Sequence, residues 1–162
     1  MVADQEENRA AAYTLAFHES ARALDAQERA VTELRSRAGV LIAAAAIVTS
    51  FFGARDVLGD GLGPWGWTAV VAFLAVGATV LCVLWPRTDW SFSANATAVI
   101  AEYVEPEALP LAAIHRDLAL HRALSYRANA DQLGRLFLVF RVGLICLIVE
   151  VAAWVAALVE RS

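Results

Sequence analysis

RLFLVFRVGLICLIVEVAAWVAALVERS, residues 135–162, reads as a membrane span, yet it carries Arg141 near one end and Glu150 past its middle. Its apolar run, 136–159, has the roughly 20 residues a transmembrane helix needs. Arg141 lies about five residues in from one end, where a long side chain can snorkel to the headgroups. Glu150 has a shorter stem and sits about two turns or more from either end, beyond that reach. Nine residues separate the two, so on one helix they face opposite ways and form no ion pair with each other. Gly143, Cys146, Glu150, Ala153 and Ala157 fall within about 80° of arc on a helical wheel. They form a strip of small residues holding one carboxyl group. A carboxyl at this depth has to face protein, water or a partner. Two readings stay open: a protonated Glu150 hydrogen-bonding a neighbouring helix at Thr79, Thr49 or Ser50, or a subunit interface or polar pore where several copies of Glu150 meet. Ionised copies would repel; protonated ones could join.

The rest of the chain is built like this stretch. Of its 162 residues, 59% are apolar and 19% charged, against an apolar share of about 45–50% in soluble domains. The charges are segregated: 38–54 and 65–85 contain none, while 1–37 holds twelve. The opening residues are polar and acidic, so no cleavable signal peptide is expected. All thirteen basic residues are arginine and the formal charge is −4, which argues against a nucleic-acid binder. Cys82 and Cys146 fall inside predicted spans without metal or redox spacing, and are read as small packing residues.

Residues 1–37 predict one long helix whose seam is Tyr13, Phe17, Ser20, Leu24, Gln27, Val31 and Leu34, at alternating spacings of four and three. Ser20 and Gln27 dilute this seam, so it suggests packing against another helix. No breaker separates it from a first span, 38–54, where Gly39, Ala43, Ala46, Ser50 and Gly53 form a small-residue face suited to close helix approach. Residues 55–64 read as a short connector, with Asp60-Gly61 and Gly63-Pro64 as breakers. A second span, 65–86, has Trp65 and Trp67 at one end and Trp85 at the other, as interfacial belts require. Its small face is Thr68, Ala72, Ala75, Thr79 and Cys82. Within 87–135, a short helix is expected over 93–105, capped by Ser93 or Asn95, and a long helix starts near Pro110 and continues into the third span, 136–159. The expected fold is an all-α membrane protein with three transmembrane helices, in which long cytoplasmic helices are continuous with spans one and three.

Arginine counts set the expected orientation. Segments 1–37 and 87–135 hold five each, while the connector and the C-terminal tail hold one each. The positive-inside rule then places the N-terminus and 87–135 in the cytoplasm, with the connector and C-terminus outside.

Catalytic chemistry finds no foothold. His18, His115 and His121 are the only histidines, and the latter two point about 120° apart on one helix. No zinc-type spacing, nucleophile elbow or kinase signature appears, so neither an enzyme, a metal site nor a cofactor is expected. Ligand binding has more support. Arg116, Arg122 and Arg127 lie on the helix leading into the third span with Tyr126 near them, and Arg35 and Arg37 close the first soluble helix. Guanidinium forks could hold an anionic nucleotide, with an aromatic ring for its base. The plainer reading is positive-inside anchoring on a solvated face, since Glu33, Asp117 and Asp131 are interspersed.

The order of parts resembles the Pycsar-type membrane effectors, small helical defence proteins found beside nucleotide cyclases. The resemblance lies in RSRAGVLIAAAAIVTSFFGA (35–54), LCVLWPR (81–87), FSANATAVIAEYVE (92–105) and IHRDLALHRALSYRANADQLGRLF (114–137). It covers most of 30–158, with Arg37-Ala38 where the family more often shows Lys-Ala, and Arg127 in place of Lys. The resemblance implies cytoplasmic helices that sense cyclic CMP or cyclic UMP and a membrane part that compromises the inner membrane to stop phage propagation. The expectation is therefore a homo-oligomeric antiphage effector in contact with the lipid bilayer and with no nucleic-acid polymer. The rival expectations are a non-signalling accessory subunit, as in plasmid transfer or transport, and a small oligomeric ion channel.

Overall fold

The computed structural model describes residues 2–58, 61–86, 90 and 110–160. Among them the chain is all-α, with helices α1 (Val2–Leu58), α2 (Pro64–Leu84) and α3 (Leu111–Glu160). Each contains a stretch long and apolar enough to cross a bilayer. The protein is thus a membrane protein with three candidate spans. The short helix expected over 93–105 lies outside the described residues.

Helix α1 shows no break at Arg37–Ala38, and α3 none at Arg135–Leu136. Gly39 alone does not interrupt α1, because one helical glycine costs only about 1 kcal/mol relative to alanine. The helix outlasts its apolar run and ends at Leu58, just before Gly59-Asp60-Gly61. Gly61 has φ of +90°, a left-handed conformation that glycine adopts without a Cβ penalty. Pro64 then occupies the first turn of α2, where its missing N–H is not needed and its fixed φ suits the helix. At the other end Pro86 follows Trp85, whose N–H bonds the Leu81 carbonyl. For α3, the Pro110 carbonyl accepts from the N–H groups of Ala113 and Ile114, which matches the expected start.

The chain divides into two compact units. The first contains α1 up to Val31 and α3 up to Leu133; the second contains α1 from Thr32, all of α2, and α3 from Gly134.

In the first unit α1 and α3 run in the same direction: Thr14 meets His115, and Gln27 meets Tyr126 further along both helices. The expected seam faces inward. Leu24, Gln27 and Val31 are buried, and Tyr13, Phe17 and Ser20 are half-buried. The two polar members are accounted for locally. The Ser20 hydroxyl donates to the Phe17 carbonyl at 2.8 Å, and Gln27 Nε2 donates to the Tyr126 carbonyl at 3.0 Å.

In the second unit α1 and α3 are again parallel, with Leu41 near Gly143, Thr49 on Glu150 and Gly53 against Trp154. Helix α2 runs opposite to both. The buried residues of α1 here are Leu34, Ala38, Leu41 and Ala45, which extend the same four-three spacing past Leu34. Those of α2 include Ala69, Ala72, Val76, Val80 and Val83. Large apolar side chains such as Phe51, Leu74, Ile148 and Val159 are exposed instead, as expected where the solvent is lipid. Between such helices the apolar surroundings provide little drive to associate, so close packing and interhelical hydrogen bonds carry the assembly.

Candidate functional site

Two polar constellations stand out, one in each unit. In the first unit, Phe17 projects from α1 toward His115 and Arg122 on α3. The His115 imidazole stacks on its ring at a centroid distance of 4.8 Å and an interplanar angle of 19°. The Arg122 guanidinium lies over the same ring at 4.2 Å, a cation–π arrangement. Arg122 Nη1 also reaches the Phe17 carbonyl at 3.4 Å. His115 and Arg122 are seven residues apart, a rise of about 10 Å, so they flank the ring from the two ends of a single knob-in-hole contact. His18 approaches Phe17 edge-on at 5.5 Å.

Thr14 ties the His115 ring to α1. Its Oγ1 lies 3.0 Å from the Ala10 carbonyl, to which the hydroxyl donates, and 3.0 Å from His115 Nδ1. The imidazole is thus held at Nδ1 by Thr14 and at its face by Phe17.

In the second unit, Glu150 is fully buried. The Thr49 hydroxyl donates to its Oε1 at 2.6 Å, so one of the three neighbours expected for this carboxyl is its partner. The small-residue strip around Glu150 faces the chain's own helices. Gly143, Ala153 and Ala157 are buried and Cys146 is half-buried. A Cβ on Gly143 would stand 2.5 Å from Thr79 Oγ1 and 3.0 Å from a Leu41 methyl. Trp154, one turn beyond Glu150, is buried in a cluster with Ala69 and Ala153 and lies 3.4 Å from the Cβ position of Gly53. Arg141 is exposed, on the side away from Glu150.

The small faces expected on the first two spans are placed differently. On α1, Gly39, Ala43 and Ser50 are exposed, and no atom lies within 4 Å of a Cβ built on Gly39. The packed face, through Ala38, Leu41 and Ala45, is about a third of a turn away. On α2, Thr68, Ala72 and Ala75 line one wall of an open apolar groove of about 450 Å³, with Cys146 and Val149 of α3 opposite. Thr79 faces Gly143, and Cys82 is exposed.

The six candidate ligand-binding residues are divided between the two units. Arg35 and Arg37 belong to the second unit, Arg116, Arg122, Tyr126 and Arg127 to the first. Arg37 is exposed and paired with Glu33 one turn back. Arg35 is half-buried, while Arg116, Tyr126 and Arg127 are exposed. Of the six, only Arg122 joins a ring-bearing site. Sequence reasoning missed Thr14, Phe17 and His115 as members of that site, although His115 and Arg122 sit one heptad apart on α3 and Phe17 lies on the predicted seam. Among the described residues, no group of three or more His, Cys, Asp or Glu side chains could hold a metal ion.

No family model, curated protein or solved structure matches the chain.

Proposed function

We propose that the protein is a membrane effector of bacterial antiphage defence, triggered by a cyclic pyrimidine nucleotide and impairing the inner membrane through self-association. The observation that supports this reading is the Phe17–His115–Arg122 site. It puts an aromatic ring, an imidazole and a guanidinium into a helix pair, the chemistry that recognises a base and a phosphate. Three candidate spans supply the membrane part. Resemblance to the Pycsar-type effectors supplies the ligand class and the outcome. In this reading the first unit is cytoplasmic, as the arginine distribution argues. Self-association uses lipid-facing surface, because the strip around Glu150 is occupied within the chain.

The test is inducible expression with cyclic CMP or cyclic UMP supplied. Membrane depolarisation and growth arrest that require one of these nucleotides are expected. Absence of depolarisation under both would remove the reading. A pore lined by Glu150 has less support, because that carboxyl is buried against Thr49 of its own chain.

A further inference from the structure

We propose that Phe17 is an internal stand-in for the planar ring of the ligand, holding the slot between His115 and Arg122 closed in the resting chain. The inference rests on the nucleotide-responsive reading and adds the means by which that response is restrained. A slot walled by an imidazole and a guanidinium selects a flat, electron-rich ring, and Phe17 supplies one from within the chain. What Phe17 lacks is a polar edge. His115 is engaged at Nδ1 by Thr14, and its second ring nitrogen, Nε2, can pair with the polar edge of a heterocyclic base, which a phenyl ring cannot do. Arg122 is held by its contact with the ring and by a long hydrogen bond of 3.4 Å to the Phe17 carbonyl. A phosphate oxygen would be a stronger, charge-assisted partner for the same fork. The exchange therefore favours the ligand at both of its ends, which is the differential affinity that a ligand-driven shift requires.

Position along the seam agrees. Phe17, His115 and Arg122 are only half-buried, whereas Leu24 and Val31 further along α1 are buried. Withdrawing Phe17 disturbs the more open part of the helix pair and leaves the tighter part in place.

The sign of one affinity change tests the proposal. Full-length protein in lipid nanodiscs would be titrated with cyclic UMP and cyclic CMP by calorimetry, as wild type, Phe17→Ala, Phe17→Leu and Phe17→Trp. If Phe17 competes for the slot, its removal tightens binding. Phe17→Ala should lower Kd by about tenfold, the scale of one aromatic–cation contact. Phe17→Leu, which keeps an apolar knob but no flat face, should fall between, and Phe17→Trp should bind more weakly than wild type. Helix content by circular dichroism confirms that each variant is folded. Weaker or unchanged binding by both Phe17→Ala and Phe17→Leu, with wild type binding normally, overturns the stand-in role and leaves the nucleotide reading intact. No binding of either nucleotide by any of the four proteins overturns both.

Discussion

Thr49 and Glu150 meet inside the membrane unit, hydroxyl to carboxyl at 2.6 Å, with Glu150 shielded entirely from its surroundings. The contact joins the first and last spans and gives the carboxyl a donor that lipid cannot offer.

Replacing Thr49 by valine keeps the shape and removes the donor. Interhelical hydrogen bonds in membranes contribute about 0.6 kcal/mol on average and up to about 1.7, and Thr49→Val is expected near the upper end because it leaves a buried carboxyl without its donor. Glu150→Gln retains an acceptor oxygen for Thr49 and should be milder. Thermal unfolding in detergent compares the two. Altered ion conductance in Glu150→Gln at unchanged stability would instead support a Glu150-lined pore.

Gly143 and Gly39 should respond oppositely to alanine. A Cβ on Gly143 would press on Thr79 and Leu41, with Thr79 Oγ1 held by a 2.8 Å bond to the Val76 carbonyl. Overpacking of this kind costs about 1–3 kcal/mol, and Thr79→Ala in the same chain should recover part of it. Gly39→Ala meets empty space and should be neutral or stabilising by up to about 1 kcal/mol. Paired melting curves of the two variants check this.

Gln27 gives its amide to the Tyr126 carbonyl, but its buried Oε1 has no partner among the described residues. Gln27→Leu should therefore be neutral or stabilising, by up to about 1 kcal/mol. Its effect should appear as loss of a unique helix register. Disulfide trapping between cysteines placed at positions 24 and 122, or 24 and 129, would show several cross-links where wild type shows one.

Trp154→Ala should be the most damaging single change in the membrane unit. It empties the space beside Gly53 and the cluster with Ala69 and Ala153, at a cost of about 3–5 kcal/mol. Folded yield after detergent extraction measures it.

Much of this was legible in the sequence, and what was missed has a physical cause. The α3 strip of Gly143, Cys146, Glu150, Ala153 and Ala157 keeps the three-four spacing of a packed seam, and its members are indeed buried or half-buried. On α1 the seam through Tyr13 to Leu34 faces inward as read. Its continuation does too, because Ala38, Leu41 and Ala45 keep the spacing and take the inner face. The face chosen for the first span instead followed residue size: Gly39, Ala43 and Ser50 there point outward, while Ala46 is half-buried and Gly53 packs against Trp154. Small side chains permit close approach without requiring it, whereas spacing decides which side of a continuous helix meets its neighbour. The ring site was legible only in Arg122, with Phe17 placed on the seam but not in the site. The meeting of His115 and Arg122 with Phe17 depends on the relative stagger of two parallel helices, which no local pattern reports.

That stagger also sets an order of events during synthesis. Thr49 and Glu150 are 101 positions apart, so the hydroxyl is delivered to the membrane long before the carboxyl exists. Until the ribosome has made α3, Thr49 has no carboxyl to clasp, and a chain cut before Glu150 lacks this contact. Helix α3 arrives carrying the costliest side chain and finds its partner already in place, so closure of this three-helix unit has to wait for α3.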